Sequence, residues 1–407
     1  MKKLFTLLSA FILMSVSAQR HCGTTDRVAQ LSHDPEFAAR DQAIKTYLKN
    51  ARSTSNKSGF TSTTNSVITI PVVFHVLYKN NSQNVSDSQI HSQLASMNAD
   101  FRKTNADFGD VVPLAFQNQA ADLEIKFVKA TSGPNGQPTN GITRKQVSEN
   151  FDLESQYYTT AGEQAWDTSV YLNVWIGRFQ TFGYLGFGTP PAAAGMPYDG
   201  LVISYKAFGC NGSAIAPFNK GRTVVHELGH YLGLSHPWGE DGSSCGELAN
   251  DDQISDTPSI NDPHYGVPTY PENSNMCAPD ENGAMFMNFM DYVNDEAMGM
   301  FTDDQKIVAR ATLEGPRASL LGTKTNTSNF GISVYPNPAD KFFVIKSDNM
   351  ELGKVEIYSS NGQLRKTADL EKSETAIPLE NFEQGIYFLR IFDANGKLLK
   401  SDKLIKK

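Results

Sequence analysis

The alternation of apolar and polar positions predicts a sheet backed by a helix in the stretch that follows residue 66. Residues 67–78 are rich in β-branched and aromatic side chains, which favours a strand even though Pro71 lies within it. After Ser86, a good helix cap, apolar side chains recur three or four positions apart up to residue 102, the spacing of an amphipathic helix. The same reasoning predicts strands at residues 123–128, 170–176 and 201–205. These elements indicate an α+β domain with a long helix packed on one sheet.

A second unit is predicted at the C-terminal end. Short strands are expected at residues 332–335, 342–345, 355–358, 374–377 and 385–392. Asn-Gly turn signals lie between some of them, at 361–362 and 395–396. Residues 330–407 are therefore predicted to form a small all-β sandwich, and the Gly/Ser/Thr/Asn-rich stretch 317–329 is predicted to be the linker before it.

The N-terminal region has the pattern of an exported precursor. Residues 1–18 combine Lys2 and Lys3, an apolar core and small residues before a cleavage site, which predicts a signal peptide. No other apolar run is long enough to span a bilayer, so we expect export through the periplasm and no transmembrane anchor. Residues 19–52 are predicted to be a pro-segment with a helix at 34–50, and 53–66 an exposed linker.

The net charge bears on the kind of partner, and the number of cysteines bears on the possible disulfides. The 407 residues carry a formal charge of −8, which argues against nucleic acid as a partner. The four Cys of an exported chain allow three complete pairings, and their spacing does not choose among them.

The candidate chemistry lies in residues 226–236. On a helix, His226 and His230 project from the same face and can bind one metal ion. Glu227 lies beside the first of them, where it can act as the general base and then the acid of a hydrolysis. Gly233 is suited to end the helix with a sharp turn that returns His236. Three imidazoles leave one position of a tetrahedral zinc open, which is the catalytic arrangement.

This longer pattern is the metzincin signature. Together with the residues before the helix and the later runs Asp256-Thr257-Pro258, Asn288-Phe289-Met290-Asp291-Tyr292 and Met300-Phe301-Thr302, it resembles the pappalysin family of metzincin metalloproteases. The resemblance implies a twisted mixed sheet with a backing helix and a zinc-binding helix over residues 53–316. It also implies that Met290 forms the apolar floor under the zinc and that Tyr292 assists the oxyanion.

The resemblance further implies a cysteine switch. Cys22 of the pro-segment would bind the zinc in the latent form and displace the catalytic water. Two alternatives remain open for Cys22, a disulfide and lipoprotein acylation. The implied disulfide joins Cys245 and Cys277, which leaves Cys210 unassigned.

Substrate contacts are also expected by resemblance. The strand containing Tyr184, Leu185, Gly186 and Phe187 would be the sheet edge against which an extended peptide lies antiparallel. The alternative is a glycine-rich loop without substrate contact. Asp295 and Glu296 lie where related enzymes place a carboxylate for a basic side chain after the scissile bond, and we favour Glu296 for this role. A plain surface charge is the alternative. This pocket predicts self-cleavage between residues 51 and 52.

Calcium is a second expected metal. Asp252, Ser255 and Thr257 offer oxygen ligands near the Asp-Thr-Pro run, where related enzymes bind calcium. The alternative is a solvated acidic loop.

The C-terminal unit resembles the sorting domain of the type IX secretion system, in its Val334-Tyr335-Pro336-Asn337-Pro338 run and its Lys-rich end. The resemblance implies that residues 330–407 bind the type IX secretion machinery. A carbohydrate-binding or adhesive sandwich is the alternative.

The favoured hypothesis is a secreted zinc endopeptidase, made latent, that acts on extracellular proteins or peptides. Two rivals stay open: a non-catalytic surface or adhesion protein with a structural metal site, and a zinc hydrolase of non-peptide substrates. Glu227 argues against the first rival, because a structural site needs no base.

Overall fold

The computed structural model describes residues 19–58, 67–181, 183–239, 245, 252–321, 332–347, 352–359, 363–370, 374–394 and 398–407. The predicted signal peptide lies outside these residues. The chain divides into two compact units, Met1–Leu321 and Gly322–Lys407.

The described part of the first unit contains seven strands and eight α-helices. The strands are β1 (His21–Cys22), β2 (Ile68–Tyr78), β3 (Ile125–Lys129), β4 (Ile142–Gln146), β5 (Leu172–Gly177), β6 (Tyr184–Gly188) and β7 (Leu201–Ser204). The helices are α1 (Thr24–Leu31), α2 (Pro35–Ser58), α3 (Asp87–Phe101), α4 (Phe108–Val111), α5 (Leu114–Gln117), α6 (Leu153–Gln156), α7 (Arg222–Tyr231) and α8 (Asp303–Glu314).

All seven strands belong to one mixed sheet, in the order β1-β6-β7-β5-β2-β3, with β4 also beside β2. The long strand β2 pairs in parallel with β5 on one side and with β3 and β4 on the other. Its nearly continuous apolar sequence fits a strand that is covered on both faces. Strand β6 is antiparallel to β7, and the pro-segment strand β1 is added to β6 in parallel.

Helix α3 is the predicted backing helix. The Ser86 side chain accepts a hydrogen bond from the Gln89 backbone N–H at 3.2 Å, which caps the helix. Ile90, Met97 and Phe101 are completely buried in the main core, so the apolar stripe read from the sequence faces the sheet. The predicted α+β fold is confirmed.

Three sequence predictions differ from the structure of this unit. Strand β4 was not predicted, because four of its five residues are polar and show no apolar periodicity. Helix α2 extends to Ser58, so the boundary predicted between residues 52 and 53 falls inside a helix, and residues 53–58 are not a linker. Arg317 and Leu320 are buried in the first unit, so the linker predicted at 317–329 begins too early.

The second unit is a β-sandwich of two sheets. One sheet has the order β11-β10-β13-β14 and the other β12-β9-β8. These strands are β8 (Ser333–Tyr335), β9 (Phe342–Lys346), β10 (Lys354–Ser359), β11 (Leu364–Asp369), β12 (Glu374–Pro378), β13 (Gly385–Phe392) and β14 (Leu398–Lys406). Phe343 and Ile345 of one sheet share a core with Val355 and Leu389 of the other. Strands β11 and β14 were not predicted.

Candidate active site

Helix α7 carries the candidate metal ligands, and all ten of its residues are buried. The helix follows Gly221, whose φ of 77° is in the left-handed region. The Asp295 carboxylate accepts hydrogen bonds from the backbone N–H groups of Lys220 (2.8 Å) and Arg222 (3.3 Å), which places a negative charge at the positive end of the helix. The helix stops before Gly233, whose φ of 87° turns the chain toward His236.

The three predicted imidazoles converge. The Nε2 atom of His236 lies 3.0 Å from Nε2 of His230 and 3.3 Å from Nε2 of His226. Tetrahedral zinc with bonds of about 2.0–2.1 Å holds its ligand nitrogens about 3.4 Å apart, so these residues fit that ion. The Cys22 Sγ atom joins them, and the four ligand atoms all lie within 4.8 Å of one another.

Backbone carbonyls fix the orientation of two of the rings. The Nδ1–H of His226 donates to the Phe289 carbonyl at 2.8 Å, and that of His230 donates to the Leu234 carbonyl at 2.9 Å. Because a carbonyl can only accept, Nδ1 carries the proton and Nε2 presents its lone pair to the metal position. Burial also holds the pKa of His226 well below its usual value, which favours the neutral ring.

Glu227 is buried beside these ligands. Its Oε2 atom lies 3.3 Å from Cys22 Sγ and accepts a hydrogen bond from the Thr24 hydroxyl at 3.0 Å. Burial raises the pKa of Glu227 to about 7.

The pro-segment reaches this site as a strand. Strand β1 pairs with β6 so that His21 lies opposite Tyr184 and Cys22 opposite Gly186. The Gly23 N–H donates to the Gly186 carbonyl at 2.8 Å and extends the pairing. Cys22 is thereby held over the metal position, and it is a free cysteine rather than half of a disulfide.

Arg20 occupies a buried pocket beside the metal position. Its guanidinium donates to the Asp295 carboxylate at 2.6 Å and to the Thr223 hydroxyl at 3.1 Å, and it lies 5.1 Å from the centre of the Phe218 ring. Both side chains of the ion pair are almost completely buried. Glu296, which the sequence analysis favoured for a basic side chain, is instead exposed, and the neighbouring Asp295 makes the buried ion pair with Arg20.

The candidate Met-turn lies beneath helix α7. A Cβ atom placed on Gly229 would lie 2.2 Å from the Met290 sulfur, so this methionine packs directly against the helix backbone. The Tyr292 ring centre lies 5.0 Å from that of His236 and 4.7 Å from that of Trp238. Trp238 in turn stacks on His236 at 4.5 Å, nearly parallel.

Four of the five residues predicted to bind substrate, all except Glu296, lie on β6, the strand that β1 covers. Tyr184 stacks on His21 with ring centres 4.8 Å apart. Gly186 pairs with Cys22, while Leu185 is half-buried and Phe187 is buried. The Gly-rich stretch is therefore a strand rather than a loop.

The remaining predictions concern the cysteines and the calcium ligands. Cys245 and Cys277 form a disulfide, and Cys210 is an exposed free thiol. Thr257 donates to Asp252 at 2.8 Å, whereas Ser255 bonds to Asp304, so the three candidates do not converge on one point. Calcium binding stays a prediction.

The sequence analysis missed Arg20 and Trp238. Arg20 stands two residues before Cys22, and that proximity was the available signal. Trp238 stands two residues after His236, but its position against the ligand ring depends on the turn after Gly233.

The site combines a buried three-His centre, a glutamate beside it and a strand along the cleft, on an α+β fold. This combination defines a metalloprotease. Residues 156–314 match the family described as pregnancy-associated plasma protein-A, and residues 333–407 match the secretion system C-terminal sorting domain. The chain therefore belongs to the pregnancy-associated plasma protein-A, or pappalysin, family and carries a type IX secretion sorting domain.

Similar proteins agree with this assignment. An extracellular metalloprotease of Arthroderma gypseum is 27% identical over 300 residues, covering 73% of this chain and 84% of the relative. Mature mirolysin of Tannerella forsythia, in complex with a cleaved peptide, is 41% identical with a TM-score of 0.60, covering 64% of this chain and 97% of that one. A promirolysin mutant of the same organism is 38% identical with a TM-score of 0.66, covering 74% and 97%.

The sorting domain and the extracellular relatives indicate a secreted protein. Among the described helices, none combines the length and the apolar character needed to cross a bilayer.

We expect Gly229→Ala to destabilise the site. The added Cβ would collide with the Met290 sulfur, and overpacking of this kind costs about 1–3 kcal/mol. Denaturant unfolding monitored by fluorescence measures the loss. Gly109→Ala is the matched control, because nothing lies within 4 Å of the Cβ position at this exposed helical glycine. Equal stability of the two variants would contradict the packing described for Met290.

Proposed function

We propose that this chain is the latent precursor of a zinc endopeptidase that cuts proteins before basic residues. The observation that carries the proposal is the convergence of three imidazole Nε2 atoms beside Glu227, with Cys22 and Arg20 of the pro-segment in the same cleft.

His226, His230 and His236 would hold the zinc. When bound, zinc supplies Lewis-acid polarisation of the scissile carbonyl and lowers the pKa of water at the site. Glu227 takes a proton from the attacking water and later gives it to the leaving amine. The phenol of Tyr292 donates a hydrogen bond to the developing oxyanion.

Strand β6 binds the substrate main chain. In the precursor the pro-segment pairs with the N–H and C=O groups along the edge of β6, and removal of the pro-segment frees them for a substrate. A substrate lies antiparallel to β6, whereas β1 is parallel to it. The pro-segment therefore occupies the cleft in the reverse direction and does not present a peptide bond in the orientation that is cut.

Asp295 gives the preference for a basic side chain. The pro-segment shows how the pocket receives a guanidinium: Arg20 makes a buried ion pair with Asp295 and lies over the Phe218 ring. A substrate Arg or Lys after the scissile bond enters the same pocket.

Activation requires removal of this segment. The bond between residues 51 and 52, which the pocket preference predicts as the cut, lies within helix α2. Cleavage by an extended-strand mechanism therefore requires the end of α2 to unwind first. Residues 330–407 would engage the type IX secretion machinery and deliver the precursor to the outside of the cell.

We expect Glu227→Ala to bind zinc and to lose proteolysis. The imidazoles and their carbonyl partners remain, but the base is removed, and general-base catalysis contributes about 10²–10⁴-fold. Purified precursors of both forms are incubated with a denatured protein, and new N-termini are identified by mass spectrometry with and without a zinc chelator. Chelator-sensitive cutting by the variant would rule out this mechanism.

Cys22→Ala should release latency early. Without the thiolate, the pro-segment loses its bond to the zinc but keeps Arg20 in its pocket. The time at which the precursor is shortened, followed by gel electrophoresis, should advance. Cys210→Ala is the control, since this thiol is exposed and lies outside the cleft. If the Cys22→Ala precursor stays latent as long as the wild type, Cys22 is not a cysteine switch.

Asp295→Asn should weaken the preference for basic residues. Loss of a charge-assisted hydrogen bond should lower kcat/KM roughly 10- to 100-fold for peptides with Arg after the scissile bond. Peptides with citrulline at that position should change less. Glu296→Gln, which alters an exposed neighbour, should leave the ratio intact. A larger effect of Glu296→Gln than of Asp295→Asn would contradict the pocket assignment.

A further inference from the structure

A second cation of the pro-segment lies in a group of aromatic rings away from the Asp295 pocket. Arg27 of α1 places its guanidinium carbon 5.9 Å from the ring centres of Tyr157 and Phe187 and 5.3 Å from that of Tyr198. We call these three rings the aromatic cage. A guanidinium within about 6 Å of a ring centre is attracted by the negative face of the ring.

The rings, rather than an ion pair, hold this guanidinium. The Nε atom of Arg27 is buried without a hydrogen-bond partner among the described residues, and one terminal nitrogen reaches Gln30 of its own helix at 3.4 Å. The carboxylate of Asp199, next in sequence to Tyr198, is bonded by Arg317 at 2.7 Å and by the Thr189 hydroxyl at 2.7 Å. The cage therefore has the composition of a cation–π site.

The cage is built from residues outside the pro-segment. The Tyr157 hydroxyl donates to the Tyr198 carbonyl at 2.7 Å, and its ring packs against Phe187 at 5.7 Å and Trp175 at 4.8 Å. Tyr157 is completely buried. These contacts involve neither Arg27 nor its helix, so they hold the Tyr157 and Phe187 rings independently of the pro-segment. The Tyr198 ring packs against Tyr158 with ring centres 5.8 Å apart, and also against the cluster that contains Phe37 of helix α2.

The direction of the pro-segment places the cage relative to the scissile bond. Arg20 occupies the pocket for the residue after that bond, and Cys22 lies at the metal position. After Cys22 the chain pairs once more with β6 through Gly23 and then enters helix α1. The Thr24 hydroxyl at the start of this helix accepts a hydrogen bond from the Gly188 N–H at 2.9 Å, and Arg27 lies three residues farther along the helix. An antiparallel substrate has the residues that precede its scissile bond on this side of the cleft.

We infer that Tyr157, Phe187 and Tyr198 form a second subsite, which binds an Arg or Lys side chain on the N-terminal side of the scissile bond. Arg27 fills this subsite in the precursor, as Arg20 fills the first. The inference rests on the proposed protease function. It predicts that substrates with two basic residues, one on each side of the cut, are preferred.

The test uses peptides that all carry Arg after the scissile bond. At each of the four preceding positions, Arg is compared with citrulline, which has the same shape without the charge. At one position the activated enzyme should cleave the Arg peptide about twofold to thirtyfold faster in kcat/KM, the range that cation–π attraction supplies between an exposed and a desolvated site. A ratio of about one at every position overturns the inference.

Two substitutions at Tyr198 assign the selectivity to the cage. Tyr198→Leu removes a ring face and should bring the Arg/citrulline ratio close to one, while Tyr198→Phe keeps the ring and should retain the ratio. Cleavage of the citrulline peptide shows that each variant is folded and active. An unchanged Arg/citrulline ratio in Tyr198→Leu overturns the inference. If the wild type cuts none of the peptides, the proposed protease function is wrong instead.

The full-length precursor gives a readout that does not depend on proteolysis. In a Cys210→Ser background, the rate at which a thiol reagent labels Cys22 reports opening of the pro-segment. Arg27→Gln should raise this rate about fivefold or more, and Arg27→Lys should raise it less. In a Tyr198→Leu background the effect of Arg27→Gln should largely disappear, as expected for residues in contact. Equal labelling of Arg27→Gln and its parent overturns the cage as a cation site.

Discussion

The candidate site depends on bringing three imidazole nitrogens together in a buried position, with Nε2 of His236 within 3.3 Å of the other two. The lone pairs of such nitrogens repel one another when no cation lies between them. The surrounding backbone must therefore hold the rings in place. The i,i+4 spacing on α7 supplies two rings, and the left-handed turn at Gly233 returns the third. The carbonyls of Phe289 and Leu234 then fix the ring orientation.

The same constraint explains the close packing beneath the helix. Only glycine at position 229 lets the Met290 sulfur lie against the α7 backbone, and this contact holds the segment that supplies the Phe289 carbonyl. Asp295 extends the arrangement, because its carboxylate both caps the start of α7 and lines the pocket that holds Arg20. Metal ligation and the pocket are thus coupled through one helix.

The pro-segment adds a strand to β6, places a guanidinium against Asp295 and brings Cys22 to the metal position. Under the proposed function these are contacts of the kind that a substrate would make, and the parallel direction of the pro-segment would separate binding from cleavage. Helix α2 adds a second anchor, since Phe37 and Leu48 are buried against the rest of the unit. Removal of the segment therefore uncovers both the cleft and an apolar surface behind it.

The sequence by itself determined the local parts of this protein. The motif at 226–236, the amphipathic helix α3 and the apolar strands β2 and β5 follow from side-chain periodicity and from the conformational freedom of glycine, which act over a few residues. Tertiary structure decided what depends on distant segments. The sequence placed two acidic residues side by side, but only the fold shows that Asp295 is buried against Arg20 while Glu296 faces solvent. The strand formed by His21 and Cys22 carries little local signal, because its pairing partner lies about 160 residues away on β6. The extent of α2 and the aromatic cage were likewise set by packing, since burial against neighbouring elements overrides the weak preferences of polar or scattered aromatic residues.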